Sequence, residues 1–235
     1  MQKKPVLVLI PGLLSDATVW RAVTDRLQDV LPCRVADVTG HDSLVAMAGE
    51  ILEQCDGPLF VAGHSMGARV ALEMVRAAPD RILRLALLDT GVHPRKEGEE
   101  LRRNELVDLA FESGMGKLAA EWLPPMVHED RVDDDGLMTA LTEMVGRMSP
   151  DIHKRQITAL LNRPDAAPLL ETIRCPTLLV VGRQDRWSPL VQHEHMQGQI
   201  PGSSLVVIEG AGHFAPIVQP EAVAEVLHLW FEQGL

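Results

Sequence analysis

A serine held between two glycines, in Gly63-His64-Ser65-Met66-Gly67, joins a strand-like segment to a helix-like one, and this junction limits the folds open to the chain. Leu59-Phe60-Val61-Ala62 is an apolar run of strand length, while Ala68 to Ala77 brings Val70, Met74 and Ala77 to helical spacing. A strand that turns at once into a helix holds its serine on a sharp turn at the strand's carboxyl end, and the flanking glycines permit backbone that side chains would block. Ser65 is therefore presented as a nucleophile.

A hydroxyl is a weak nucleophile until a base takes its proton and a third group orients that base. Gly210-Ala211-Gly212-His213-Phe214-Ala215-Pro216 follows the apolar run Leu205 to Ile208 and offers His213 on a loop. Thr177-Leu178-Leu179-Val180-Val181 is closed by Gly182-Arg183-Gln184-Asp185-Arg186-Trp187-Ser188-Pro189, with Asp185 at its tip. The chain order is Ser65, Asp185, His213.

With these three motifs in this order, each after a strand, the chain resembles a small α/β-hydrolase of the esterase and acyl-transfer superfamily, from Val6 to about Phe231. The resemblance implies a Ser65-His213-Asp185 triad. Asp89 competes for the acid role because it too follows a strand-like run, Ile82 to Leu88, but Gly-x-x-Asp-x-x-x-Pro around Asp185 matches the commoner family pattern. Asp89 is then expected to hydrogen-bond the loop that enters the insertion. Acyl transfer needs donors aimed at an oxyanion. The amide of Met66 is one, and the amide of Leu13, in Pro11-Gly12-Leu13-Leu14-Ser15-Asp16, is the other. Where many relatives begin this loop with His-Gly, this chain has Pro-Gly.

Strands near Val6, Arg34, Leu59, Ile82, Thr177 and Leu205 alternate with helices near Thr18, Leu44, Met66, Leu190 and Glu221. Such alternation predicts an α/β fold, a doubly wound, mostly parallel sheet of about six strands with Arg34 to Val38 at an edge. The usual fold has two further strands ahead of the first, for which there is no room before Val6. Alternation fails between about Gly91 and Pro168, where the family places a cap. Residues 1–91 and 168–235 are read as the core and 92–167 as the helical cap. Met115, Met126, Met138, Met144 and Met148, with Trp122 and Leu123, are candidates for an adaptable apolar lining or for plain helix packing. Glu129, Asp130, Asp133, Asp134 and Asp135 read as a solvated loop.

At 235 residues and 46% hydrophobic content the chain can bury a full core. A formal charge of −11 argues against nucleic acid. Cys33, Cys55 and Cys175 are scattered and read as buried thiols in a reducing compartment. His193-Glu194-His195 lacks the spacing that puts two histidines on one helix face, so an exposed surface and no metal are expected. Lys3 and Lys4 before Val6 to Leu14 could imitate a signal peptide, but Pro11-Gly12 interrupts the run, and cleavage would delete the first strand. The expectation is a cytoplasmic protein with no membrane span and no cofactor, whose partner is a small ester or thioester and whose oligomeric state is open.

The resulting expectation is a cofactor-independent serine hydrolase that cleaves a carboxylic ester or thioester of a small, largely apolar acyl group through an acyl-enzyme. Rivals on the same scaffold are a lyase, a carbon–carbon bond hydrolase, a cofactor-free oxygenase and a ligand receptor that kept the triad. Leu14, Trp122, Trp187 and Phe214 are the expected substrate contacts. Arg69 is expected to point away from the site and Arg183 and Arg186 to reach its rim, so neutral acyl chains of short to medium length are preferred.

Overall fold

The computed structural model describes residues 5–232; Lys3 and Lys4 lie outside them. The six strands are β1 (Val6–Ile10), β2 (Cys33–Val35), β3 (Leu59–His64), β4 (Ile82–Leu88), β5 (Thr177–Gly182) and β6 (Ser204–Ile208). They form one parallel sheet in the order β2-β1-β3-β4-β5-β6. β3 and β5 are buried along their whole length, which explains the continuous apolar runs at residues 59–62 and 178–181 within them: a strand covered on both faces has no polar side to show. The short β2, at the edge beside β1, is only partly buried.

Between the strands run α1 (Arg21–Leu27), α2 (Leu44–Gln54) and α3 (Met66–Ala77). Four α-helices follow β4: α4 (Glu99–Trp122), α5 (Asp135–Gly146), α6 (Pro150–Leu161) and α7 (Ala167–Leu170). The chain ends with α8 (Leu190–Gln199), the short α9 (Ala215–Val218) and α10 (Pro220–Glu232). Right-handed crossovers put α1 on one face of the sheet and α2 and α3 on the other, in keeping with the packing of α1 on α10 and of α2 on α3. The chain leaves β1 toward one edge and returns to β3 on the other side of it. Their carboxyl ends therefore flank the switch point where α/β sheets bind ligands.

Local signals mark where the insertion's helices begin. The Asp134 carboxylate accepts from the Leu137 amide (3.0 Å) ahead of α5, and the Ser149 hydroxyl accepts from the Ile152 amide (3.2 Å) with Pro150 at the first turn of α6. Asp134 also pairs with Arg131, and Glu129 with Arg186, so part of the acidic stretch expected to be solvated loop is tied down. α4 bends at Gly114 (φ +80°) and packs on α5 and α6.

The turn after β3 requires glycine for space. A Cβ on Gly67 would meet the Ile10 and Pro11 carbonyl oxygens, and one on Gly63 would meet the Gly67 carbonyl and the Ala68 backbone. Gly49, on α2, has nothing within 4 Å. Gly67→Ala should therefore cost about 1–3 kcal/mol of stability by forced backbone displacement, whereas Gly49→Ala should gain about 0.5–1 kcal/mol from helix propensity. Urea unfolding of both variants checks this, and equal effects would contradict the close approach of α3 to the β1 loop.

Candidate active site

Ser65 sits at φ +53°, ψ −114°, a conformation that a non-glycine residue holds only where its surroundings impose it. They do: its amide donates to the Leu88 carbonyl (2.9 Å), and its carbonyl accepts from the Thr90 hydroxyl (3.0 Å) and the Ala68 amide (3.1 Å). The side chain is thereby turned outward at the positive end of α3. Its Oγ lies 2.8 Å from His213 Nε2, and His213 Nδ1 lies 2.9 Å from Asp185 Oδ2. An ionised carboxylate only accepts, so Nδ1 carries the proton and Nε2 is free to accept from the serine hydroxyl. Asp185 is buried, which alone would raise its pKa. The adjoining His213 and the Ser188 and Trp187 amides, each 2.8 Å from Oδ1, hold it below the usual carboxylate value. On the far side, the His213 amide donates to the Met126 carbonyl at 2.8 Å, anchoring this loop to the insertion.

Asp89 has a different environment from the one expected. Its carboxylate accepts from the Gly182 amide (2.8 Å) and the Ala215 amide (3.2 Å), joining β4 to β5 and to the start of α9 rather than bracing the entry to the insertion. Complete burial, and then the neighbouring Asp185, push its pKa well above the ordinary value. His64 Nε2 lies 3.8 Å from Oδ2, yet that nitrogen is closer, at 2.6 Å, to the His213 carbonyl. A carbonyl only accepts, so Nε2 of His64 holds the proton. Burial, and then the adjacent His213, pull His64 down to about 3, so it is a neutral prop beneath the His213 backbone.

The two loops expected to supply oxyanion donors meet beside the serine: a Cβ on Gly12 would touch Ser65 Cβ and the His64 ring. The Ser15 amide turns back to the Gly12 carbonyl (3.3 Å), and the Leu14 amide donates to Gln156 Oε1 (2.9 Å). Among the described residues, no protein acceptor takes the amides of Leu13 or Met66. Gln156 was not foreseen. It reaches from α6 with its Nε2 donating to the Val38 carbonyl (3.2 Å), and is wholly buried.

Ser65 and His213 open onto a cavity of about 710 Å³. Its size suits a small-molecule site. Leu13, Met66, Trp122 and Met126 line it, as does the half-exposed Trp187 at its rim. Two expected contacts do not. Leu14 is fully buried in the core, its strained backbone (φ +53°) turning the side chain inward. Phe214 is buried behind the site, its ring against His64, His213 and the edge of Trp122. Of the other candidates for an apolar lining, Met115, Met144, Met148 and Leu123 are core residues and Met138 packs against the core.

Charge at the site also departs from expectation. Arg69 does not point away but lines the cavity, one helical turn beyond Ser65. Arg183 is paired with Glu209 (2.7 Å) away from that cavity; Arg186 stands at its rim, paired with Glu129 (2.6 Å). Glu99, at the start of α4, receives both Nη atoms of Arg163 (2.9 and 2.7 Å), Arg103 Nε (2.8 Å) and the Lys96 amide (3.0 Å). Burial would raise its pKa, but the bonds from Arg163, Lys96 and Arg103 bring it down to about 2 from an ordinary 4.5. A folded value below the unfolded one means that the cluster's stabilisation is complete above about pH 4.5 and is lost as pH falls toward 2. Stability measured against pH should thus fall less steeply over that interval in Glu99→Gln than in the wild type.

His193 is buried, not exposed, and accepts from the Thr90 amide at 3.1 Å. No metal-binding group of histidine, cysteine and carboxylate side chains occurs among the described residues, nor any helix long and apolar enough to cross a membrane. Cys55 is buried, while Cys33 and Cys175 are half-buried, all as free thiols.

A doubly wound parallel sheet with a serine on the turn after its third strand is the architecture of an α/β-hydrolase fold. The chain belongs to the alpha/beta hydrolase family, whose profile residues 7–226 match. It is similar to the pimeloyl-[acyl-carrier protein] methyl ester esterase of Neisseria meningitidis serogroup B, 28% identical with 97% of this chain and 93% of that one covered. A putative carbamate hydrolase of Pseudomonas savastanoi is 27% identical over 92% of this chain and 89% of its own. Among solved structures, a thermophilic esterase from Thermogutta terrifontis, with malate bound, superimposes with a TM-score of 0.91 at 28% identity, covering 99% of this chain and 91% of that one.

Proposed function

We propose that the protein is a serine esterase that opens a carboxylic ester through an acyl-enzyme. The observation that carries this reading is the continuous chain from Asp185 through His213 to Ser65 Oγ, with links of 2.9 and 2.8 Å, at the wall of the cavity. The similarity to two esterases agrees with it.

His213 Nε2 takes the hydroxyl proton as Ser65 Oγ attacks the acyl carbon, and Asp185 stabilises the imidazolium that forms. The oxygen's developing charge is received by the amides of Leu13 and Met66, which already lack a protein acceptor and so need not break a bond to act. His213 returns the proton to the departing alkoxide, which leaves as the alcohol. Water then repeats the sequence on the acyl-enzyme: His213 takes a proton from it, and the acid leaves as Ser65 regains its own. A thioester would follow the same steps with a thiol leaving. The helical segment 92–167 serves as the cap over this chemistry, and residues 1–91 and 168–235 as the core.

Hydrolysis of p-nitrophenyl esters together with labelling by a fluorophosphonate tests the reading. Turnover with stoichiometric labelling of Ser65 is expected. Binding of esters without turnover would favour a receptor, and labelling without ester turnover would favour another reaction on the same scaffold.

A further inference from the structure

The insertion side of the cavity holds more positive charge than its carboxylates neutralise. Glu99 is surrounded by Arg163 and Arg103, each bonded to it, while Arg69 lies within the influence of both and has no carboxylate partner among the described residues. Its Nη1 donates only a long hydrogen bond, to the His93 carbonyl (3.4 Å). Burial, and then the charges of Arg163 and Arg103, pull its pKa down to about 9 from 12.5, with Glu99 opposing them at a distance. Lys96, Arg102, Glu105 and Glu121 also border the cavity, but these are exposed and screened by solvent.

A second observation is independent of the first. His153, on α6, borders the same cavity, is completely buried, and has no hydrogen-bond partner at either ring nitrogen. Burial, and then the nearby Arg103, lower its pKa to about 4, so it is a neutral ring with one donor and one acceptor unused. Leaving the N–H unsatisfied is costly in a folded protein, and an oxygen of a ligand in the cavity would accept from it.

We propose that Arg69 and His153 form a subsite for a carboxylate on the acyl part of the substrate, so that the ester opened at Ser65 is the half-ester of a dicarboxylic acid. This rests on the esterase reading above. A planar guanidinium matches the two oxygens of a carboxylate, and the single negative charge supplies what Arg69 lacks. The imidazole adds an N–H donor. Arg69 follows Ser65 by four residues on α3, about 6 Å along the axis at 1.5 Å per residue, so the two ends of a short diacid can be held at once. Selection would then come from the charged end, and the apolar residues around Trp122 and Met126 would pack the methylenes between.

Two measurements test this. In the first, kcat/KM is compared for monomethyl and dimethyl esters of the same diacids, succinate through suberate. The wild type should favour the monoanion at its best length, and Arg69→Met should lower the monoester-to-diester ratio by roughly ten- to a hundredfold, the loss expected for a hydrogen bond to a charged group. His153→Phe should lower the same ratio. A wild-type preference for the diester at every length, or a ratio unmoved in Arg69→Met, overturns the subsite. In the second, calorimetry follows the free diacids binding to both proteins. At least about tenfold weaker binding by Arg69→Met is expected, and equal binding or none by the wild type overturns the proposal. Because calorimetry needs no turnover, a wild type that binds diacids but hydrolyses neither ester refutes the esterase reading alone.

Discussion

Ser65→Ala should abolish ester hydrolysis and fluorophosphonate labelling, with kcat falling by on the order of three decades or more. Stability should be almost unaffected. The strain at Ser65 is held by backbone bonds to Leu88, Thr90 and Ala68, none of which uses the hydroxyl, and the hydroxyl's partner is His213. The urea midpoint of the variant should lie close to that of the wild type. Turnover near the wild-type rate in the purified variant would mean that the hydroxyl is not the nucleophile.

The second large effect distinguishes two buried carboxylates. Asp185→Asn places an amide where the His213 Nδ1 proton now points, favouring the tautomer in which Nε2 holds the proton and cannot accept the serine's. kcat should fall by about four decades, as when a triad aspartate is replaced by asparagine. Asp89→Asn should behave otherwise. The new side chain keeps one acceptor for the Gly182 amide but can turn an NH₂ against the Ala215 amide, so its main loss is stability, of about 1–3 kcal/mol. Comparing kcat with the urea midpoint for both variants separates the roles, and a larger loss of kcat at Asp89 would transfer the acid role to it.

The sheet was legible because pattern and burial coincide: β3 and β5 are buried along their length, with an apolar run at the centre of each and a glycine at or near its carboxyl end. Ser65, Asp185 and His213 could be placed because each lies within a few residues of a strand's carboxyl end. Residues beside them were harder. Phe214 adjoins His213 in sequence, yet the chain turns there into α9 and the ring goes to the core. Leu14 is turned inward by a left-handed backbone that nothing in its sequence announces. For Arg69 a signal did exist: four residues after Ser65, it shares the serine's side of α3, and helical spacing alone argues that it faces the site. Gln156 offered no such sign, since its partners Leu14 and Val38 lie over a hundred residues away, and His153 offered none because a lone histidine on a helix does not announce its burial. His193 failed for a related reason. The polar look of its helix conceals a burial beside the Thr90 amide, from which its Nε2 accepts.

Gln156 has a consequence for motion. From α6 it accepts the Leu14 amide and donates to the Val38 carbonyl, so a single side chain rivets the insertion to the loops that follow β1 and β2. Swinging α6 outward would strip two buried backbone groups of their partners, at about 1–3 kcal/mol each. That cost favours α6 staying seated, and the half-exposed Trp187 and the exposed charges border the cavity on its open side. Exchanging the insertion with that of a relative would carry this rivet away, and the recipient's Leu13-Leu14 turn would lose its outer support even if every residue of the serine, histidine and aspartate set remained in place.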